Sequence, residues 1–226
     1  MTKRDRTRRY LVFLVGLLCV SCGVALITKA DLGTSPIAAI PYSLTLILPV
    51  MTMGRWMIVF NLFLVLLQLA LLRRAADWRD LALQSVITLG FGSLVDVALT
   101  ALRAVVPGAY PEKLGLLLIG CCVLALGAWL EVVADVVMLP GDAFTRVLAR
   151  VTGIEFGKVR VVSDVTMSAI AAALCLVFLR ALVGVREGTL ISALLVGNII
   201  RAYARLLGPL ARRLVGEKTG KTTEKA

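Results

Sequence analysis

Two groups of residues in this 226-residue chain carry side chains, at suitable intervals, for ligand or proton binding. The first is Gly33-Thr34-Ser35-Pro36. Ser35 suits a helix N-cap, Pro36 suits the first helical position, and Gly33 lets the backbone turn sharply. A helix starting there presents unpaired N–H groups and the positive end of its dipole, which can hold an anionic or strongly polar group. The plainer reading is a cap that closes a loop. The second group is Pro140-Gly141-Asp142 together with Arg160 and Asp164. Asp142 falls in the first turn of another proline-led helix, where it either offsets the dipole or takes a proton, a cationic group or Arg160. Arg160 and Asp164 lie four apart and share a helix face. They make an ion pair at the membrane interface or, facing inward, a gate. Asn61 sits within an apolar run as a hydrogen-bonding ligand or as glue between helices. Asp96, Glu131 and Asp135 lie near the ends of apolar runs and read as interfacial.

Much chemistry is excluded. The chain has no histidine, and Cys19, Cys22, Cys121, Cys122 and Cys175 all lie in apolar runs. Imidazole metal sites and a Ser-His-Asp triad therefore lack their histidine, and cysteines inside apolar runs do not suit a secreted disulfide scaffold. Neither a phosphate-binding loop pattern nor a nucleophile with its base is visible, so no enzyme, metal or cofactor is expected.

The elements that position these residues are membrane spans. Hydrophobic residues make up 59%, charged residues 17%, and the mean hydropathy is +0.92. About 20 apolar residues at 1.5 Å each cross ~30 Å of hydrocarbon. The runs Tyr10 to Ile27, Trp56 to Leu72, Leu81 to Leu102, Leu114 to Val133, Val159 to Leu182 and Gly188 to Leu207 meet that length. The first of them reads as a retained anchor rather than a cleaved signal. Pro36 to Val50, interrupted by Pro41 and Pro49, and Pro140 to Val151 are shorter; they read as half-helices that enter and return, surrounded by protein or a wet cavity. Six crossings put most of the 25 Lys and Arg on one side, against Lys29, Arg55, Arg103, Lys113, Arg180 and Arg186 on the other. The positive-inside rule then makes that side cytoplasmic, with both termini there. The basic strip from Arg201 to Lys225 reads as an orientation signal touching anionic lipid, not as a nucleic-acid site, and the polar Gly216 to Ala226 as disordered.

The two halves resemble each other. Gly16, Gly23, Ala30, Asp31 and Pro36 recur as Gly120, Gly127, Ala134, Asp135 and Pro140, each 104 residues later. Gly54-Arg55 and Asn61 align with Gly157-Lys158 and Asp164 after a slip of one, and Ser85 and Gly90 with Ser192 and Gly197 at an offset of 107. Three crossings per unit is odd, so the second unit is inverted, the arrangement of many secondary transporters. The glycines Gly16, Gly23, Gly90, Gly92, Gly120, Gly127 and Gly197 are expected at close helix contacts.

Ala30-Asp31-Leu32-Gly33-Thr34-Ser35-Pro36 resembles the "AGLGTSPWD" signature of the YczE-type bacterial membrane proteins, which are similar to the YitT proteins. In the second half, Pro140-Gly141-Asp142 resembles the family's "GPRDG". Gly157-Lys158-Val159-Arg160 with Asp164 resembles its "G-x-V-R" and following acid, and Ala193 to Gly197 its "ALLIG". The likeness spans roughly residues 10 to 207. It departs at Ala38, where the pattern has aspartate, at Gly141, where it has arginine, and at Asp31, where it has glycine. The resemblance implies a membrane fold and a suspected role in small-molecule export.

The resulting expectation is an all-α polytopic protein of the bacterial cytoplasmic membrane. Its parts are a basic cytoplasmic segment 1–9, membrane repeats 10–104 and 114–207, and a basic tail 208–226. The expected partners are the lipid bilayer and a small organic solute, with self-association left open. The expected function is secondary transport at a polar gap between the repeats, lined by Gly33, Thr34, Ser35, Asn61, Pro140, Asp142, Arg160 and Asp164. A non-transporting membrane scaffold for a biosynthetic or envelope complex is the alternative.

Overall fold

The computed structural model describes residues 3–73 and 76–209, which are helical with no strand among them. Most of the expected tail lies outside the described residues. The elements are α1 (Lys3–Lys29), α2 (Pro36–Ile47), α3 (Met53–Leu72), α4 (Trp78–Ala101), α5 (Tyr110–Ala134), α6 (Pro140–Thr152), α7 (Phe156–Leu179) and α8 (Glu187–Leu206). Six of them, all but α2 and α6, are long and apolar enough to cross a membrane. The 12 residues of α2 and 13 of α6 reach only ~18 to 20 Å at 1.5 Å each, too short for a ~30 Å core. α2 stops at Ile47 because Pro49 keeps Leu48 out of the helical region, at φ −126° and ψ 83°. α6 stops at Gly153, whose φ of 71° suits glycine. It is amphipathic rather than simply apolar, since Arg146 and Arg150 are exposed along it.

α1 and α5 form the central antiparallel pair, and their glycines let the backbones touch. A Cβ on Gly23 would lie 2.5 Å from Leu124 N, and one on Gly127 2.5 Å from Val20 N. Gly16 would meet Glu131 N at 3.2 Å, and Gly120 would meet Ile27 N at 2.9 Å. These contacts are reciprocal. Moving each first-half partner on by 104, and each second-half partner back by 104, turns Gly23–Leu124 into Gly127–Val20 and Gly16–Glu131 into Gly120–Ile27. The flanking ion pairs behave likewise: Arg9 meets Asp135 at 3.8 Å and Lys113 meets Asp31 at 2.6 Å. Both aspartates close their helices in the left-handed region, at φ 49° and 55°. Ile37 and Gly141, 104 apart, press on each other where α2 and α6 begin; a Cβ on Gly141 would overlap the Ile37 side chain. Around this centre α2 lies on α7 as α6 lies on α3, and α8 lies on α5 as α4 lies on α1.

The correspondence breaks once. α3 and α4 pack along each other with Gly54 against Gly92, and Asp96 holds the start of α3 by accepting from Thr52 Oγ1 at 2.5 Å and Gly54 N at 2.8 Å. α7 and α8 both rest on α2 but scarcely meet each other. Asp96 is therefore a tether between helices rather than a merely interfacial charge. Gly90 and Gly197 also depart from expectation: nothing lies within 4 Å of a Cβ on either, so they face away from the packed surfaces.

Apolar side chains close the middle. Ala39, Ile40, Leu64, Met167 and Ala171 form a buried cluster between α2, α3 and α7, with Phe60 of α3 and Phe144 of α6 packed on it. The polar gap expected between the halves is filled, because both short helices turn aliphatic or aromatic residues inward beyond their first turns. The grooves that stand out are on the periphery, one at Asp96, Thr100 and Arg103 and an apolar one on α7 at Ile170, Leu174 and Phe178.

Candidate functional site

The expected site residues separate into two polar clusters, one at each proline-led helix start. At α2, Gly33 has φ 102°, a conformation that favours glycine, and a Cβ there would lie 2.5 Å from Thr189 Oγ1. The loop is tied to the start of α8: Gly188 N donates to Leu32 O at 2.8 Å, and Arg186 Nη1 donates to Asp31 O at 3.0 Å. Thr34 is fully buried and shares a 3.0 Å hydroxyl bond with Thr28. Ser35 occupies the N-cap position, yet its side chain makes no capping bond. Its Oγ and Thr189 Oγ1 are both buried without a hydrogen-bond partner. A cap alone does not account for two unspent hydroxyls beside an uncapped helix end, since buried hydroxyls are normally satisfied. Thr189 and Ser192, whose Oγ donates to Thr189 O at 3.0 Å, complete this cluster; the sequence marks Ser192 only as the repeat match of Ser85 and gives Thr189 no motif.

At α6, the position before Pro140 is Leu139, which offers no side-chain cap. Gln68 Nε2 of α3 donates to Pro140 O at 3.3 Å and to Gln84 Oε1 of α4 at 3.1 Å, and Gln84 Nε2 donates to Asp80 Oδ2 at 3.1 Å. The Arg160 guanidinium joins the two acids: Nη1 donates to Asp142 Oδ1, and Nε donates to Asp164 Oδ2 at 3.3 Å. Asp142, Arg160 and Asp164 thus form one cluster bridging α6 and α7. Charge-assisted bonds from one guanidinium fix the position of the short helix on its neighbour. Asn61, expected as a ligand or as glue between helices, is buried on α3 and hydrogen-bonds to neither cluster.

Glu131 was legible only as an interfacial acid, and the structure corrects that. It is 8% exposed on the α1 face of α5, its Oε1 is buried without a partner, and its Cγ would be 3.1 Å from a Cβ on Gly16. Among the described residues no group of three or more Cys, Asp or Glu is arranged to hold a metal ion.

Six membrane-length helices with two shorter proline-led ones define a polytopic α-helical membrane protein. Residues 7–205 match the model of a family of unknown function, DUF6198, and the chain belongs to that family. No curated protein and no solved structure matches the chain.

Proposed function

We propose that the chain is an inverted duplication serving as a secondary transporter for a small organic solute, in a bacterial cytoplasmic membrane with both termini cytoplasmic. In this reading it belongs with the YczE-type proteins, and its repeats are 10–104 and 114–207. The observation that carries the proposal is the reciprocity of the α1–α5 contacts and of the Arg9–Asp135 and Lys113–Asp31 pairs. An antiparallel contact whose members exchange under one offset is what a two-fold axis in the membrane plane produces.

Two further features favour movement over a static scaffold. The start of α2 keeps two buried hydroxyls unspent, with Arg186 and Lys113 close to its loop, a setting for an anionic or polar solute group. The halves also differ where they should match: α3 is locked to α4 while α7 and α8 stand apart. Exchanging those two shapes would turn a form closed in the middle into one facing the other side, which is how inverted repeats alternate access. The filled Ala39, Ile40, Met167 cluster then acts as the closed barrier. Any driving energy comes from an ion gradient or a partner chain.

That same filled centre favours the second reading, a non-transporting scaffold. Counterflow of labelled small organic anions and neutral solutes in proteoliposomes separates the two. Transport predicts uptake of at least one solute, with Asp142→Asn lowering it roughly tenfold through loss of the charged bond from Arg160, worth ~1.5–3 kcal/mol. Absence of uptake across the panel, with correctly folded protein, supports the scaffold.

A further inference from the structure

Glu131 is the buried acid that neither cluster uses, and its surroundings are those of an aliphatic side chain. The residue 104 positions earlier is Ile27. Each lies on the central helix pair against the glycine of the opposite helix, Ile27 on Gly120 and Glu131 on Gly16. Ile27 is completely buried, so this slot is filled by hydrocarbon in the first half. The second half puts a carboxyl group of similar reach into it. Packing does not call for that exchange, and an ionised carboxylate there lacks the hydrogen bonds or the cation it needs.

Among the described residues no cation is paired with Glu131. From α1, Arg9 Nη1 donates to Ala134 O at 3.3 Å and pairs with Asp135, and its Nε is buried without a hydrogen-bond partner. From α8, Arg201 and Arg205 are exposed, and Tyr203 packs on Trp129 and Val133. We infer that Glu131 is a proton-binding site within the α1–α5 contact, and that the proton is the ion coupled to movement of one half against the other. The coupling half rests on the transporter reading; proton binding does not. With the middle closed, the carboxyl stays protonated against Gly16. A parting of α1 from α5 at Gly16 would wet the site and let the proton leave.

The test reads the proton directly. Infrared difference spectra of the purified protein in liposomes, taken between acid and alkaline buffer, should contain the C=O stretch of a protonated carboxyl. Glu131→Gln should abolish that band, and proton uptake measured with a pH dye in unbuffered medium should fall by one per chain. Glu131→Ile copies the counterpart slot and should fold with the same loss, which guards against a variant that fails for reasons of packing. A band and uptake unchanged in both variants would overturn the inference. Loss of the band together with absence of solute uptake by the unaltered protein would keep the proton site while removing the transporter reading. Solute uptake whose response to an imposed pH gradient is the same in Glu131→Gln as in the unaltered protein would overturn the coupling.

Discussion

Replacing Gly127 by leucine is expected to destabilise the protein by about 3 kcal/mol, at the upper end of what overpacking a tight contact costs. A Cβ at this position would lie 2.5 Å from Val20 N and 2.6 Å from Gly16 O. Those are backbone atoms of the opposite helix and cannot rotate aside, so α1 and α5 must separate. Two long helices rest directly on this pair, α4 on α1 and α8 on α5. The loss should be visible as a lowered Tm in detergent and a reduced yield of monodisperse protein. Gly90→Ala is the control: it meets nothing within 4 Å, and the helix propensity of alanine should leave the Tm equal or raise it by the equivalent of up to ~1 kcal/mol. Equal behaviour of the two variants would show that the close α1–α5 crossing is not what holds the bundle.

The second large effect is expected at Arg160. Arg160→Ala leaves Asp142 and Asp164 facing each other across α6 and α7 without the cation that joins them. Breaking a fully buried pair costs ~3–5 kcal/mol, whereas exposed pairs contribute ~0–1. The three side chains here are 37%, 31% and 20% exposed, which places the cost at about 2 kcal/mol, between the two limits. A double-mutant cycle checks the cause. Asp142→Asn made in the Arg160→Ala background should recover part of the loss, because it removes one orphaned charge; strict additivity of the two changes would show that the guanidinium and the carboxylate are not coupled.

The long helices were legible because bilayer-length apolar runs have one physical reading. Pro36 and Pro140 located the two short ones, since proline after a turn starts a helix and cannot sit in its interior without cost. Asp142, Arg160 and Asp164 were legible as a group from spacing and chain order, and the structure brings them together. Thr189 and Ser192 were not, because they reach the Gly33 loop only through the docking of α8, a tertiary event without local signature. The faces of Gly90 and Gly197 were misread for the same reason: a repeat alignment matches positions, not neighbours. Glu131 had a signal that went unused. An acid aligned with Ile27, on the same face as the repeat-matched glycines Gly16, Gly23, Gly120 and Gly127, marks a place where burial and chemistry conflict. The filled centre was also foreshadowed by Ile37, Ile40 and Phe144, apolar residues placed on the short helices where a wet gap requires polar ones.

The account depends on α2 and α6 entering from opposite faces and returning without crossing. Sided labelling with a membrane-impermeant thiol reagent, in a background lacking the five native cysteines, tests this directly. Asp31 and Val50 flank α2, and Asp135 and Ile154 flank α6; all four are exposed and each is replaced by cysteine in turn. The expected result is labelling of positions 31 and 50 only from the periplasmic side and of positions 135 and 154 only from the cytoplasmic side. Labelling of the two positions that flank one short helix from opposite sides would mean that this helix crosses the bilayer, and the inverted three-span architecture would be contradicted.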